Sequence, residues 1–257
     1  MRAARPQSAG LFLLPLCLLL LQAGPAVAEG LSFEPVYLHL KADAPSTTLK
    51  LRNGHDKAMR YQLSVFSWSQ DAAGQMQISP TQDIVFFPTI FELKPGQQRA
   101  VRLGTTAKFG AEEKTYRIFI DEISSSADAP GAGTISFQLH SRVGLPIFLD
   151  PATPTATARI DSLDLSRSQL SLRLSSTGSA HLKLQHVRVT VLGDSSSVYQ
   201  RTFPVGYLLV GGELRLSADV PKESCLLARA LEVEVQTDSG VLRDRLQLPA
   251  SASRCSG

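Results

Sequence analysis

The sequence predicts an all-β fold in two tandem sandwiches, and three observations carry the prediction. Apolar residues alternate with period two through nearly every patterned segment, and two is the side-chain period of a strand. These segments are short and separated by turn dipeptides such as Asn53-Gly54, Ala73-Gly74 and Pro95-Gly96. A stiff polar bridge, Pro151-Ala152-Thr153-Pro154-Thr155-Ala156-Thr157, divides them into two groups. No amphipathic helix, internal repeat or low-complexity tract stands out.

In the first group, strands are expected over 31–40, 47–53, 59–68, 75–79, 84–87, 98–103 and 115–123. The Ser/Asp/Pro/Gly-rich stretch 124–133 then leads into a long last strand. Seven or eight strands over about 120 residues fit one immunoglobulin-like sandwich. Trp68 falls on the strand where such sandwiches bury an aromatic, so core packing is favoured there over sugar stacking. In the second group, strands are expected over 158–165, 169–175, 182–192, 197–204, 213–216, 230–237 and 241–248. Asp238-Ser239-Gly240 is a hairpin turn. Within 182–192 the apolar parity shifts from Leu182 and Leu184 to Val187, Val189 and Val191, which predicts a bulge near His186.

The N-terminus predicts export. Arg2 and Arg5 precede the apolar run 11–21, and Ala26-Val27-Ala28 offers a small-x-small cleavage site, so 1–28 reads as a cleaved signal peptide. That run is too short for a comfortable membrane span. The domain reading is therefore 1–28 signal peptide, 29–151 first sandwich and 152–257 second sandwich. The full chain is net +3, but without Arg2 and Arg5 the balance is 24 basic against 23 acidic residues. With no Lys/Arg run, nucleic acid is excluded as a partner. Cys225 and Cys255 are the only cysteines of the mature chain, and an even pair in an exported protein reads as a disulfide. Closing a loop of this length is worth about 3–4 kcal/mol.

The most unusual segment is 133–151, GTISFQLHSRVGLPIFLDP. Ile135, Phe137, Leu139, Val143, Leu145, Ile147 and Leu149 share one strand face, broken only at Ser141, with Phe148 the exception on the other. Ordinary strands run about five or six residues. The segment is a long edge strand, two strands joined by a bulge at Gly144–Pro146, or a ridge that another polypeptide covers.

Catalysis finds no support in the sequence. His39, His55, His140, His181 and His186 share no spacing, and no G-x-S-x-G or H-E-x-x-H occurs. Neighbouring carboxylates at Glu112-Glu113 and Asp121-Glu122 point apart on a strand. We expect no enzyme, no cofactor and no metal. An exported tandem-sandwich adhesin or structural binding module is a rival reading, which genes beside the coding sequence would discriminate.

Three segments, in order, resemble the periplasmic pilus (fimbrial) assembly chaperones, the PapD-like family. They are Phe87-Pro88-x-x-Phe91-x-Leu93-Lys94-Pro95-Gly96 with Val101-Arg102-Leu103, then Tyr116-Arg117-Ile118-Phe119-Ile120-Asp121-Glu122-Ile123, then the ridge ending Phe148-Leu149-Asp150-Pro151. The resemblance implies a periplasmic protein that binds pilus subunits lacking their last strand and hands them to an outer-membrane usher. It implies a donated G strand whose knobs are Ile135, Phe137 and Leu139, with Val143 as a fourth. The competing assignment is that these residues fill the first sandwich's own core. Self-association of the free form is left open.

Two departures mark a divergent member. The family's basic pair, which grips a subunit's C-terminal carboxylate, aligns with Tyr37 and Pro146; Arg142 and Arg117 are the nearest basic candidates for a substitute carboxylate anchor. The family's interdomain bridge aligns with Glu122 and Asp238, but Asp150 replaces its Arg. Three carboxylates repel without a cation, so either Arg117 or Arg243 substitutes, or the hinge is set differently.

Overall fold

The computed structural model describes residues 30–123, 141–249 and Cys255. The expected strand 31–40 is two strands, β1 (Leu31–Glu34) and β2 (Leu38–Leu40), which join different sheets. Pro35 lies between them, and without an N–H it cannot continue a ladder. There follow β3 (Ser46–Asn53), β4 (Met59–Gln70), β5 (Met76–Pro80), β6 (Ile84–Phe87), β7 (Ile90–Leu93), β8 (Gln98–Thr105), β9 (Lys114–Ile123) and β10 (Arg142–Leu149).

One sheet of the first sandwich has the order β1-β3-β8-β6; the other runs β2-β10-β9-β4-β5, with β7 also on β4. Among the described strands, only β10 and β2 pair parallel. Leu49, Leu51, Val101 and Leu103 of the first sheet meet Tyr61, Leu63, Ile118, Ile120 and Ile147 of the second in one core. Asn53, expected in a turn, is fully buried there because its amide is saturated. It donates to the Lys57 and Leu93 carbonyls at 2.8 and 2.9 Å and accepts from the His55 N–H at 2.9 Å.

The second sandwich contains β11 (Ala158–Ser166), β12 (Gln169–Ser176), β13 (Leu182–Leu192), β14 (Ser197–Phe203), β15 (Tyr207–Leu208), β16 (Glu213–Asp219), β17 (Ala230–Thr237) and β18 (Val241–Gln247). Its sheets are β11-β12-β16 and β14-β13-β17-β18, with β15 also on β13. The parity shift in β13 is the expected bulge, since its register to β17 slips between Leu184 and His186. The sequence does not announce helix α1 (Lys222–Leu227): six residues burying only Cys225 leave no periodic pattern to read. Cys225 is bonded to Cys255, with Cα atoms 5.7 Å apart, which staples α1 to the end of the chain. The bridge 151–157 packs on this sandwich, with the Ala180 N–H donating to Thr155 O and the Thr177 N–H to Thr157 O. Gly178 is obligatory at that contact, because a Cβ would lie 2.0 Å from the Thr155 carbonyl oxygen.

Candidate functional site

Strand β10 has two unlike halves. Over Ile147, Phe148 and Leu149 it is flanked on one side by β2 and on the other by β9. Over Arg142–Pro146 only β9 pairs with it, so among the described residues the opposite backbone edge is open. Pro146 suits that half, since a residue lacking an N–H is tolerated in a strand only off the ladder. Inward, Leu145, Ile147 and Leu149 are buried in the sandwich core, and Val143 is half-buried against it. Outward, Gly144 lets the Phe119 ring lie across the strand; a Cβ there would come within 3.0 Å of it.

The outward face of this sheet meets the second sandwich. Leu38, the first residue of β2, is in register with Ile147, and Pro146 pairs directly with Arg117. Tyr37 lies immediately ahead of β2. The Arg117 guanidinium lies 4.3 Å from the centroid of Trp68, and burial pulls it down from its ordinary value. It makes no ion pair among the described residues, and its buried Nε has no acceptor. A cleft of about 340 Å³ opens beside it, lined by Trp68, Gln70, Met76 and Tyr207 among others. Tyr207 stands edge-on to Trp68 at 5.1 Å, and burial pushes its phenol up to about 12.

Polar contacts lock the two sandwiches around this cleft. Gln70 donates to the Tyr207 carbonyl at 2.8 Å and accepts from the Leu209 N–H at 3.0 Å. The Arg215 N–H donates to Ala72 O at 2.8 Å. Glu113, with a side chain only 2 % exposed, has both oxygens 2.9 Å from Nδ1 of His181. A buried carboxylate needs such a partner, because desolvation without one costs several kcal/mol. The His181 ring stacks on Phe148 at 3.9 Å and 13°, while His39 approaches the same phenyl at 5.2 Å. Nδ1 of His39 lies 2.9 and 3.0 Å from the two oxygens of Asp150.

This arrangement can be set beside known proteins. Residues 30–154 match the family model described as pili and flagellar-assembly chaperone, PapD N-terminal domain. By this match, the first sandwich is a PapD-like chaperone N-terminal domain. Comparison with curated proteins finds no match. Among solved structures, similarity extends to the CsuC–CsuE chaperone–tip adhesion subunit pre-assembly complex from archaic chaperone-usher Csu pili of Acinetobacter baumannii. That likeness has 20 % identity and a TM-score of 0.58, covering 85 % of this chain and 97 % of that one. The YadV chaperone aligns at 12 % identity and TM-score 0.57 over 85 % and 99 % of the two chains. The Salmonella enterica SafA pilin–SafB chaperone complex aligns at 14 % and 0.55 over 86 % and 97 %. At these identities the solved structures establish the shared two-domain fold.

Against that fold, the residues singled out in the sequence are distributed unevenly. Ile135, Phe137 and Leu139 lie outside the described residues. Val143 packs on the first sandwich's own core, because the inward parity of Leu145 and Ile147 reaches back to it. Arg142 is exposed and held bidentately by Asp121, directly across in register, so its charge is already met. Glu122 is not at the seam: it lies at the far end of β9, in register with Tyr61, where the Ser141 hydroxyl donates to it at 3.3 Å. Glu113, nine residues earlier, carries the interdomain carboxylate instead. Asp238 lies in the turn between β17 and β18, its N–H donating to Lys183 O at 3.1 Å. Asp150 takes His39 as its partner rather than an arginine, and Arg243 is held by Glu234 at 2.7 Å, so the hinge is set differently. Trp68 is buried at the seam with Phe148 and Leu209, not in the sandwich core. Sequence reading missed His39, His181 and Glu113, whose partners lie 111 and 68 residues away with no local signal.

Proposed function

We propose that this chain is a periplasmic chaperone that holds pilus subunits by strand addition and delivers them to an outer-membrane usher. The observation that carries the reading is the half-open strand β10 in a domain of the chaperone family. An open edge offers unpaired N–H and C=O groups to an incoming strand. Upstream, the inward parity of β10 continues as Leu139, Phe137 and Ile135, and these supply the apolar knobs; Val143 serves the first sandwich instead. Each knob buried in a subunit groove contributes roughly 1.5–3 kcal/mol. Nothing in this activity needs bond chemistry, a cofactor or a metal.

Arg117 is the anchor for the subunit's terminal carboxylate in this reading. It faces the cleft from the position directly across from Pro146 and lacks a carboxylate partner among the described residues, whereas Arg142 already has one. Co-expression with the small β subunits encoded beside the gene, followed by purification from the periplasm, tests both parts. A one-to-one complex is expected that Phe137→Asp abolishes, while the urea midpoint of the free chaperone stays at the wild-type value. Arg117→Gln weakens the complex and Arg142→Ala leaves it intact. Retention of the complex by Phe137→Asp would falsify the donated-strand mechanism.

A further inference from the structure

We infer that the seam between the sandwiches is a proton-operated clasp, closed when the His181 imidazole is protonated against Glu113 and loosened when that proton leaves. Such a clasp acts whatever the cleft binds, because it concerns only how the two sandwiches hold each other. Glu113 lies immediately ahead of β9 in the first sandwich, and His181 immediately ahead of β13 in the second. Among the described residues, every hydrogen bond to the Glu113 carboxylate comes from His181. Nδ1 lies 2.9 Å from both oxygens, and the backbone N–H donates at 3.3 Å. The Glu113 N–H in turn donates to Ser179 O at 2.9 Å. The same imidazole lies flat on Phe148 of β10 at 3.9 Å, so one ring makes a polar and an apolar contact across the seam at once.

A proton decides the strength of that contact. A buried carboxylate facing an imidazolium is compensated, whereas a neutral imidazole offers one N–H and leaves the charge standing. An imidazolium over a phenyl face also gains a cation–π attraction that the neutral ring lacks. The His181 side chain is 15 % exposed, so solvent can exchange its proton. Tyr207 of β15, 5.4 Å from the imidazole between ring centroids, stays neutral because burial pushes its phenol up to about 12. Arg117 and Asp238 act on that phenol, and Lys183 donates to the Tyr37 hydroxyl. On β2, His39 is raised by its hydrogen bond to Asp150, with Glu113 adding to the shift and Lys41 opposing it. His39 and Asp150 both sit on the first sandwich, so their pair does not itself join the domains. Protonation of His181 favours the closed seam, so the clasp holds at acidic pH and weakens as pH rises through imidazole titration. The cleft beside Arg117 lies between the same two sandwiches, and its width follows the clasp.

Amide hydrogen exchange of the full chain, corrected for the intrinsic effect of pH on exchange, reads the clasp. Across the seam, the Glu113 N–H donates to Ser179 O, the Leu209 N–H to the Gln70 side chain and the Arg215 N–H to Ala72 O. Their protection is expected to fall about tenfold between about pH 5.5 and about pH 8, while the β13–β17 ladder keeps its own. His181→Gln keeps an amide donor without a titratable charge, and Glu113→Gln removes the buried charge; each should make the seam's protection equal at both pH values. His39→Gln should leave the fall in place. Wild-type protection that does not change with pH overturns the clasp, and so does a fall that survives in His181→Gln. If His39→Gln abolishes the fall and His181→Gln does not, the proton acts through Asp150 within the first sandwich and the clasp is equally lost. The ladder reports the folding of each variant, and the wild-type comparison needs no substitution at all.

Discussion

The two ends of β10 sit in unlike surroundings. Its C-terminal end is flanked by β2 and β9 and buried on both faces: Ile147 in the sandwich core, Phe148 between the imidazoles of His39 and His181. Among the described residues, its N-terminal end has a partner on one edge only, an exposed Arg142 and a half-buried Val143. One strand therefore serves as a structural member at one end and as an available edge at the other. Local composition does not separate these roles, because the apolar parity is the same at both ends. The separation comes from β2, which is three residues long and begins only at Leu38, in register with Ile147.

That contrast can be broken by substitution. Phe148→Ala, at the closed end, is expected to lower stability by about 3–5 kcal/mol, since a fully buried phenyl leaves a cavity at the seam. Ile147→Ala should cost about 2–4 kcal/mol in a urea titration for the same reason. Val143→Ala, four residues upstream at the open end, should cost roughly 1 kcal/mol, because its side chain is only half-buried. Equal losses at Ile147 and Val143 would mean that both ends of the strand are packed into the core to the same degree.

The smallest expected effect concerns His39. Its hydrogen bond to Asp150 raises the imidazole above its ordinary value. The protonated form is favoured in the fold, so the extra stability is complete below the unfolded imidazole's value of about 6.5 and fades as pH rises through the raised one. His39 is 45 % exposed, so solvent screening keeps the contribution to roughly 0.5 kcal/mol. Urea melts of His39→Gln against wild type should differ at mildly acidic pH and converge above neutrality; a constant offset would refute the ion-pair account.

Much of the architecture was legible from period and punctuation. The strand over 84–87, the whole of β13 with its bulge, β17 and the Asp238-Ser239-Gly240 hairpin follow from alternation and turn chemistry, which are local properties. Pro35 divides the first strand between two sheets, a partition that the alternating residues on either side of it do not encode. The site was less legible. Arg117 and Arg142 look alike in the sequence, yet one is stacked on Trp68 without a carboxylate and the other is paired with Asp121. Glu122 and Glu113 are both acidic residues of one segment, and the direction of β9 puts only Glu113 against the second sandwich.

Two sandwiches, a paired-cysteine staple and the kinship with pilus chaperones were readable along the chain, because strand period, turn residues and motif order are local. Folding alone set which carboxylates meet which imidazoles, where among the described residues β10 loses its second neighbour, and that Arg117 faces the cleft. Those depend on register and on how two sheets dock. Register couples residues about a hundred positions apart, and no local pattern records such a distance.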